Sequence, residues 1–263
     1  MMMNFINTLP DWAMYYIFPV GSLLAMALLT YIFQHINITK NTDHYDTDVL
    51  DTATQNSLSA AYVILGFTLV LVMGTSDAID NNLVVEANRI ESLDRLLYIE
   101  GSAPSATMRT ELKAYAKSIV DDEWPLLVKG SGSPKTAAHL MDILNGVKSL
   151  KPQDLRGATL FNNITTKADE IALSREARIL AAKNSLPPLF WNISFALLLG
   201  VLIIAAMRLS NTTRVRALAL GVQIIMLSLI YTCVMIMDQP YRGDTRATPE
   251  VIINAIKVMS NKT

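Results

Sequence analysis

Cysteine is nearly absent from this chain: Cys233 is the only one in 263 residues. No intrachain disulfide can therefore staple the fold, and cysteine usage leaves the redox compartment open. Histidine is almost as scarce, with residues only at positions 35, 44 and 139. No Ser-His-Asp, metal-ligand or dinucleotide pattern has usable spacing, so neither an enzyme nor a cofactor is expected. The formal net charge is −1 at pH 7, which gives nucleic acid no broad basic surface to bind. Across residues 76–186 no segment alternates strongly enough to predict a strand. Residues 1–11 also lack the basic region and small-residue cleavage site of a signal peptide, so the first apolar run is expected to remain as an uncleaved helix.

What is present is long apolar runs. Trp12–Phe33, Leu58–Gly74, Pro188–Met207 and Ala217–Met237 are each close to the length that crosses a hydrocarbon core of about 30 Å at about 1.5 Å per residue. No Asp, Glu, Lys, Arg or His lies in the middle of any of them, which argues against a proton-coupled pump or transporter. Trp12, Tyr15 and Tyr16 stand at the depth where aromatic rings prefer the membrane interface. The pattern predicts an all-α, polytopic membrane protein with four transmembrane helices and a soluble helical bundle between the second and third. The expected divisions are 12–74, a first helix pair with a polar connection; 75–187, the soluble region; 188–237, a second hairpin; and 238–263, a turn segment with a short helix.

Residues 57–100 organise the rest. After the charge-free run to Gly74, Ile79, Leu83, Val84, Ala87, Ile90, Leu93 and Leu97 continue at helical spacing. Asp80, Glu86, Arg89, Glu91, Asp94 and Arg95 are expected on the opposite, polar side. Neither Pro nor Gly interrupts 76–100, so one helix should pass from lipid into water. Before it, 35–56 reads as a solvated loop, with His35, His44, Asp43, Asp46, Asp48 and Asp51 matching no metal-ligand spacing.

Further along, Ala106 to Val120 forms an amphipathic helix with Met108, Leu112, Tyr115, Ala116 and Ile119 inward. Asp121, Asp122 and Glu123 follow, but neighbouring helical positions diverge by about 100° and cannot converge on one calcium ion. Ser133 and Pro134 start a helix expected to bury Ala138, Leu140, Met141, Leu144 and Val147. Residues 152–186 read as one long helix, with Leu155, Leu160, Phe161, Ile164, Ala168, Ile171, Ala172, Ile179 and Leu180 inward, ended by Pro187-Pro188. Small-residue pairs Ala196/Gly200 and Ala217/Gly221 predict a close approach of the last two spans. A final helix, capped by Thr248, presents Val251, Ile252, Ala255, Ile256 and Met259. Basic residues Arg175, Arg178, Lys183, Arg242 and Arg246 slightly outweigh Arg208, Arg214 and Arg216, which favours a cytoplasmic soluble region.

These residues resemble a family. Glu86-Ala87-Asn88-Arg89, the Tyr115 helix leading into Glu123-Trp124-Pro125 and Gly130, Leu186-Pro187-Pro188 with Phe190-Trp191, and Asp238-Gln239-Pro240-Tyr241-Arg242-Gly243 before Pro249 together look like the bestrophin-like bacterial membrane proteins. Glu123, Trp124, Pro125, Asp238, Pro240 and Gly243 are the motif positions. The more distant resemblance, through Leu65-Gly66-Phe67 and the apolar stretch after it, is to bestrophins proper, which are pentameric anion channels. That resemblance implies a homo-oligomer, a pentamer with small anions as its cargo, in a bacterial cytoplasmic membrane. It implies that Phe67 narrows a pore, with Val63 and Ser59 one and two turns earlier on the same face. Departures exist: Thr75-Ser76-Asp77 replaces the Arg-Trp-Trp run, and only Asp238 and Asp244 follow the fourth span, so calcium gating is not implied.

Any spanning helix has apolar residues at i and i+4, so spacing alone does not make a pore. Two function classes follow: an oligomeric ion channel lined by the second transmembrane helix, or a non-conducting scaffold or sensor whose helical soluble region binds a partner or ligand.

Overall fold

The computed structural model describes residues 10–36, 44–152, 154–183, 186–209, 213–243 and 246–261. Every regular element among them is helical. In chain order these are α1 (Asp11–His35), α2 (His44–Glu100), α3 (Ala103–Ser118), a π-helical turn (Ile119–Glu123), α4 (Trp124–Leu127), α5 (Pro134–Val147), α6 (Leu155–Lys183), α7 (Pro188–Leu209), α8 (Arg214–Met237) and α9 (Glu250–Ser260). Residues 37–43, which include Asp43, lie outside the described set, as do Asp244 and the side chains of His44 and Asp46. The chain divides into two compact units.

The first unit comprises residues 1–74, 186–239 and 243–245. It holds the apolar helices: α1, α7, α8 and the long α2 each contain a stretch apolar enough to cross a membrane. Helix α1 packs on both α7 and α8. Leu58, Ala61 and Leu65 of α2 join Met26, Val201, Leu202, Ala205, Ala206, Ile224, Leu227 and Tyr231 in one buried cluster. Around it, Trp12, Tyr16, Val20, Leu24, Leu28 and Tyr31 of α1 stay exposed. Such a belt of large apolar side chains is stable only against lipid or another protein surface. Trp12 and Tyr31 are 19 helical positions apart, about 28 Å at 1.5 Å per residue, which sets aromatic rings near both faces of a hydrocarbon core. The molecule is a membrane protein.

Two expectations for this unit are corrected. The segment 35–56 is not a loop throughout, because α2 already begins at His44. Its polar first turns sit where Asp51 accepts hydrogen bonds from Arg208 Nε and, at 3.1 Å, from Arg208 Nη2. The small-residue pairs do not bring α7 and α8 together either. A Cβ added at Gly200 would meet nothing within 4 Å, and one at Gly221 would meet only Leu23 Cδ2 at 3.9 Å. Glycine in these spans is not contact-forming by itself; the neighbour that faces it decides.

The second unit comprises residues 75–185, 240–242 and 246–263. Ala87, Ile90, Leu93 and Leu97 of α2 meet Met108, Leu112, Tyr115 and Ile119, then Leu140, Ile143 and Val147, then Ile164, Ala168 and Ile171. Ile252, Ala255 and Met259 of α9 complete this core. Each fully buried Leu or Ile contributes about 1.5–3 kcal/mol, so the helical phase that buries most of them prevails. That phase differs from the sequence reading at the edges. Val84, Ala138, Met141, Leu155 and Leu180 are exposed, while Ile143 is fully buried. Helix α6 starts at Leu155, where the Asp154 side chain caps it by accepting from Gly157 N. Helix α9 starts at Glu250 after Pro249, with no side-chain cap, so Thr248 does not cap it.

The continuity expected of the central stretch is present. Helix α2 runs from His44 to Glu100 without a break and ends at Gly101, whose φ of 72° is the left-handed conformation that glycine adopts without a Cβ clash.

Candidate functional site: an exposed helix face and a buried ion cluster

Helix α2 in the first unit has one packed face and one bare one. Leu58, Ala61, Leu65, Thr68 and Val72 are buried, whereas Ser59, Val63 and Phe67 all point outward. Phe67 is 73% exposed and Val63 57%. The three sit at i, i+4 and i+8, one above another, and Val70, 68% exposed, extends the row by a further turn. A ring of such apolar side chains around an axis can close a water column by dewetting.

In the second unit the structure assembles a site that the sequence reading missed. Glu86, placed on the polar side of its helix from the sequence, is 1% exposed, and Arg178 of α6 is 2% exposed. Arg178 Nε and Nη2 donate to Glu86 Oε2 and Oε1 at 2.9 and 3.1 Å, a bidentate pair. Arg178 Nη1 also lies 2.9 Å from Glu123 Oε1, a charge contact whose angle falls outside hydrogen-bond geometry. Arg175 Nη2 donates to Glu123 Oε2 at 2.6 Å and to Ser133 O at 3.1 Å. Ser133 N donates to the same Glu123 oxygen at 2.9 Å. Two carboxylates and two guanidiniums thus balance in a largely buried cluster. Burying one partner without the other would cost several kcal/mol.

Aromatic hydroxyls border this cluster. Tyr115 Oη donates to Glu86 Oε1 at 3.4 Å, and burial beside the two glutamates pushes its phenol well above the ordinary value. Tyr241, brought in from the segment after α8, stacks edge-on to Trp124 at 5.6 Å. Its hydroxyl is buried with no hydrogen-bond partner among the described residues, and burial pushes it up to about 12.

The motif positions now have physical roles. Pro125 has no N–H to give the carbonyl four residues back, so the helix widens ahead of it, and Trp124 N bonds Ile119 O in π-helical fashion. That widening turns Glu123 inward while Asp122 faces Lys135 at 2.9 Å. Pro240 O accepts from Ala247 N at 2.7 Å, which closes the turn that carries Tyr241. In the first unit Asp238 Oδ1 accepts from Leu186 N at 2.6 Å and Oδ2 from Trp191 Nε1 at 3.3 Å. Burial raises this carboxyl despite both donors. Gly243 has φ 76° and lies against the Asp11 carboxylate, where a Cβ has no room.

The missed pairing left a trace in the sequence. Glu86 shares the phase of Leu83, Ala87 and Ile90, and Arg178 the phase of Ile164, Ala168, Ile171 and Ser174. A charge in phase with an apolar stripe signals a buried partner. Asp94 repeats the case: it is 2% exposed and accepts from Arg109 Nε at 2.9 Å and Nη2 at 3.2 Å.

The Bestrophin-like domain matches residues 20–252. No curated protein matches the chain. Among solved structures, the chain is similar to a bacterial bestrophin homologue from Klebsiella pneumoniae, crystallised with a point mutation. They share 13% identity and a TM-score of 0.61, over 95% of this chain and 98% of that one. A second similar structure is that of a membrane protein, also a point mutant, at 13% identity and a TM-score of 0.58, covering 95% of this chain and 96% of that one. At such identity these two structures establish a common fold.

Proposed function

Because the chain belongs to the bestrophin-like family, we propose that it is an oligomeric ion channel in which copies of α2 surround a central pore. The observation that carries this reading is the bare row Ser59, Val63 and Phe67 on a helix whose other face is fully packed. Phe67 forms the narrowest ring, Val63 the next, and Ser59 supplies hydroxyls at one mouth. Five copies is the subunit number the family resemblance supports, with small anions as cargo. The membrane is the bacterial cytoplasmic membrane, and the helical second unit lies in the cytoplasm.

Lipid also favours exposed Val and Phe, so the test must separate a pore from a lipid face. Purified protein in a planar bilayer is expected to pass a steady current, and Phe67→Ala to raise the unitary conductance several-fold by removing an apolar constriction. Leu28→Ala, a truncation of similar size on the exposed face of α1, is expected to leave conductance unchanged. Silence of both wild type and Phe67→Ala under varied voltage and salt would return the weight to a non-conducting scaffold.

A further inference from the structure

We propose that Glu111, His139 and Asp142 form a binding site for a divalent transition metal of the Zn2+ class on the α3–α5 pair of the second unit. His139 and Asp142 are three positions apart on α5, so both project from one face toward Glu111 of α3. The donor atoms of the three residues all lie within 4.8 Å of one another. His139 Nδ1 is 3.1 Å from Glu111 Oε2.

This spacing is imposed from outside the trio. Met108 and Leu112 of α3 and Ile143 and Val147 of α5 are buried together in the core, and Gly146 lets Met108 come close enough that an added Cβ would be 2.7 Å from its Cγ. The backbones that carry the donors are therefore held before any ion arrives, which is the preorganisation a metal site needs.

Charge and donor type then select the occupant. Asp142 has no hydrogen bond or ion pair among the described residues, yet its carboxylate stands within 4.8 Å of the Glu111 carboxylate. Two like charges that close repel, and a cation between them removes the penalty. An imidazole nitrogen among the donors disfavours Ca2+ and Mg2+, which take oxygen ligands, and suits Zn2+ and its neighbours. Tetrahedral donors around zinc are about 3.3 Å apart at bond lengths near 2.0 Å, so modest rotamer changes close the site. Side-chain exposure of 26% at His139 and 36% at Glu111 leaves an entry path and room for a fourth, water ligand.

The test is calorimetric titration of untagged, full-length, detergent-solubilised protein with Zn2+. One ion per chain is expected, with affinity at least tenfold weaker in His139→Ala and in Asp142→Asn, and unchanged in Lys135→Ala, whose ammonium pairs with Asp122 instead. Replacement with Co2+ is expected to give the visible absorption of a low-coordinate site, absent in His139→Ala. Equal Zn2+ affinity in wild type and His139→Ala would overturn the proposal. So would full displacement of Zn2+ by Ca2+ at similar concentration, which would reduce the trio to diffuse acidic attraction.

Discussion

At the scale of single residues, Arg178 is the most demanding side chain in the second unit. It answers two glutamates at once, Glu86 and Glu123, and burial would expel its charge were they not there. The adjacent carboxylates win, and its guanidinium is held above the ordinary arginine range. Replacing it with Met would keep the volume but leave two buried carboxylates with Arg175 alone. Breaking a buried pair in this way costs about 3–5 kcal/mol. A large drop in the thermal midpoint of Arg178→Met, followed by circular dichroism in detergent, is expected. Arg89→Met is the comparison, since its pair with Glu170 at 3.3 Å is about one third exposed, and such a pair contributes about 1 kcal/mol or less. Equal midpoints for the two variants would show that the cluster does not hold the unit together.

At the scale of elements, the space at a glycine separates the closest points of helix contact from looser ones. In α5, a Cβ on Gly146 would press on Met108 Cγ at 2.7 Å, an atom near the root of its side chain rather than at its flexible end. Gly146→Val is expected to wedge α3 from α5 and to lower stability by about 1–3 kcal/mol, more than any gain in helix propensity returns. In α8, Gly221 meets only Leu23 Cδ2 at 3.9 Å. Gly221→Ala is therefore expected to be neutral or stabilising by about 0.5–1 kcal/mol. Thermal unfolding of both variants checks the pair. The reverse order of midpoints would mean that Gly221 marks the tight helix contact and Gly146 the loose one.

At the scale of the whole molecule, the question is what covers the apolar surface of the first unit. Val20, Leu24, Leu28, Phe67, Val70, Leu189, Phe195 and Leu218 are all exposed on a single chain. Lipid satisfies a belt on α1, but the row on α2 is placed in water by the channel reading, and only neighbouring copies can shape a pore from it. Detergent-corrected light scattering is expected to give a mass close to five chains of 29.0 kDa. A mass of one chain would remove the pore together with the assembly. Basic residues on both sides of the charge comparison are held by acidic partners in the fold. Arg175 and Arg178 are engaged by Glu123 and Glu86, and Arg208 by Asp51.

The sequence by itself determined the four apolar helices, the unbroken run of α2 and most of the inward faces of α3 and α9. Hydropathy and helical period are local properties, and each residue adds to them whatever its distant neighbours do. Only the tertiary structure decided which charges are buried and with whom. Glu86 and Arg178 are 92 positions apart, and no local pattern encodes such a pairing. The same holds for His139, which looked isolated in sequence and lies beside Glu111 because Met108, Leu112, Ile143 and Val147 had to share one core. Burial free energy fixes where helices meet, and the polar groups at those meeting lines take the partners that packing leaves within reach.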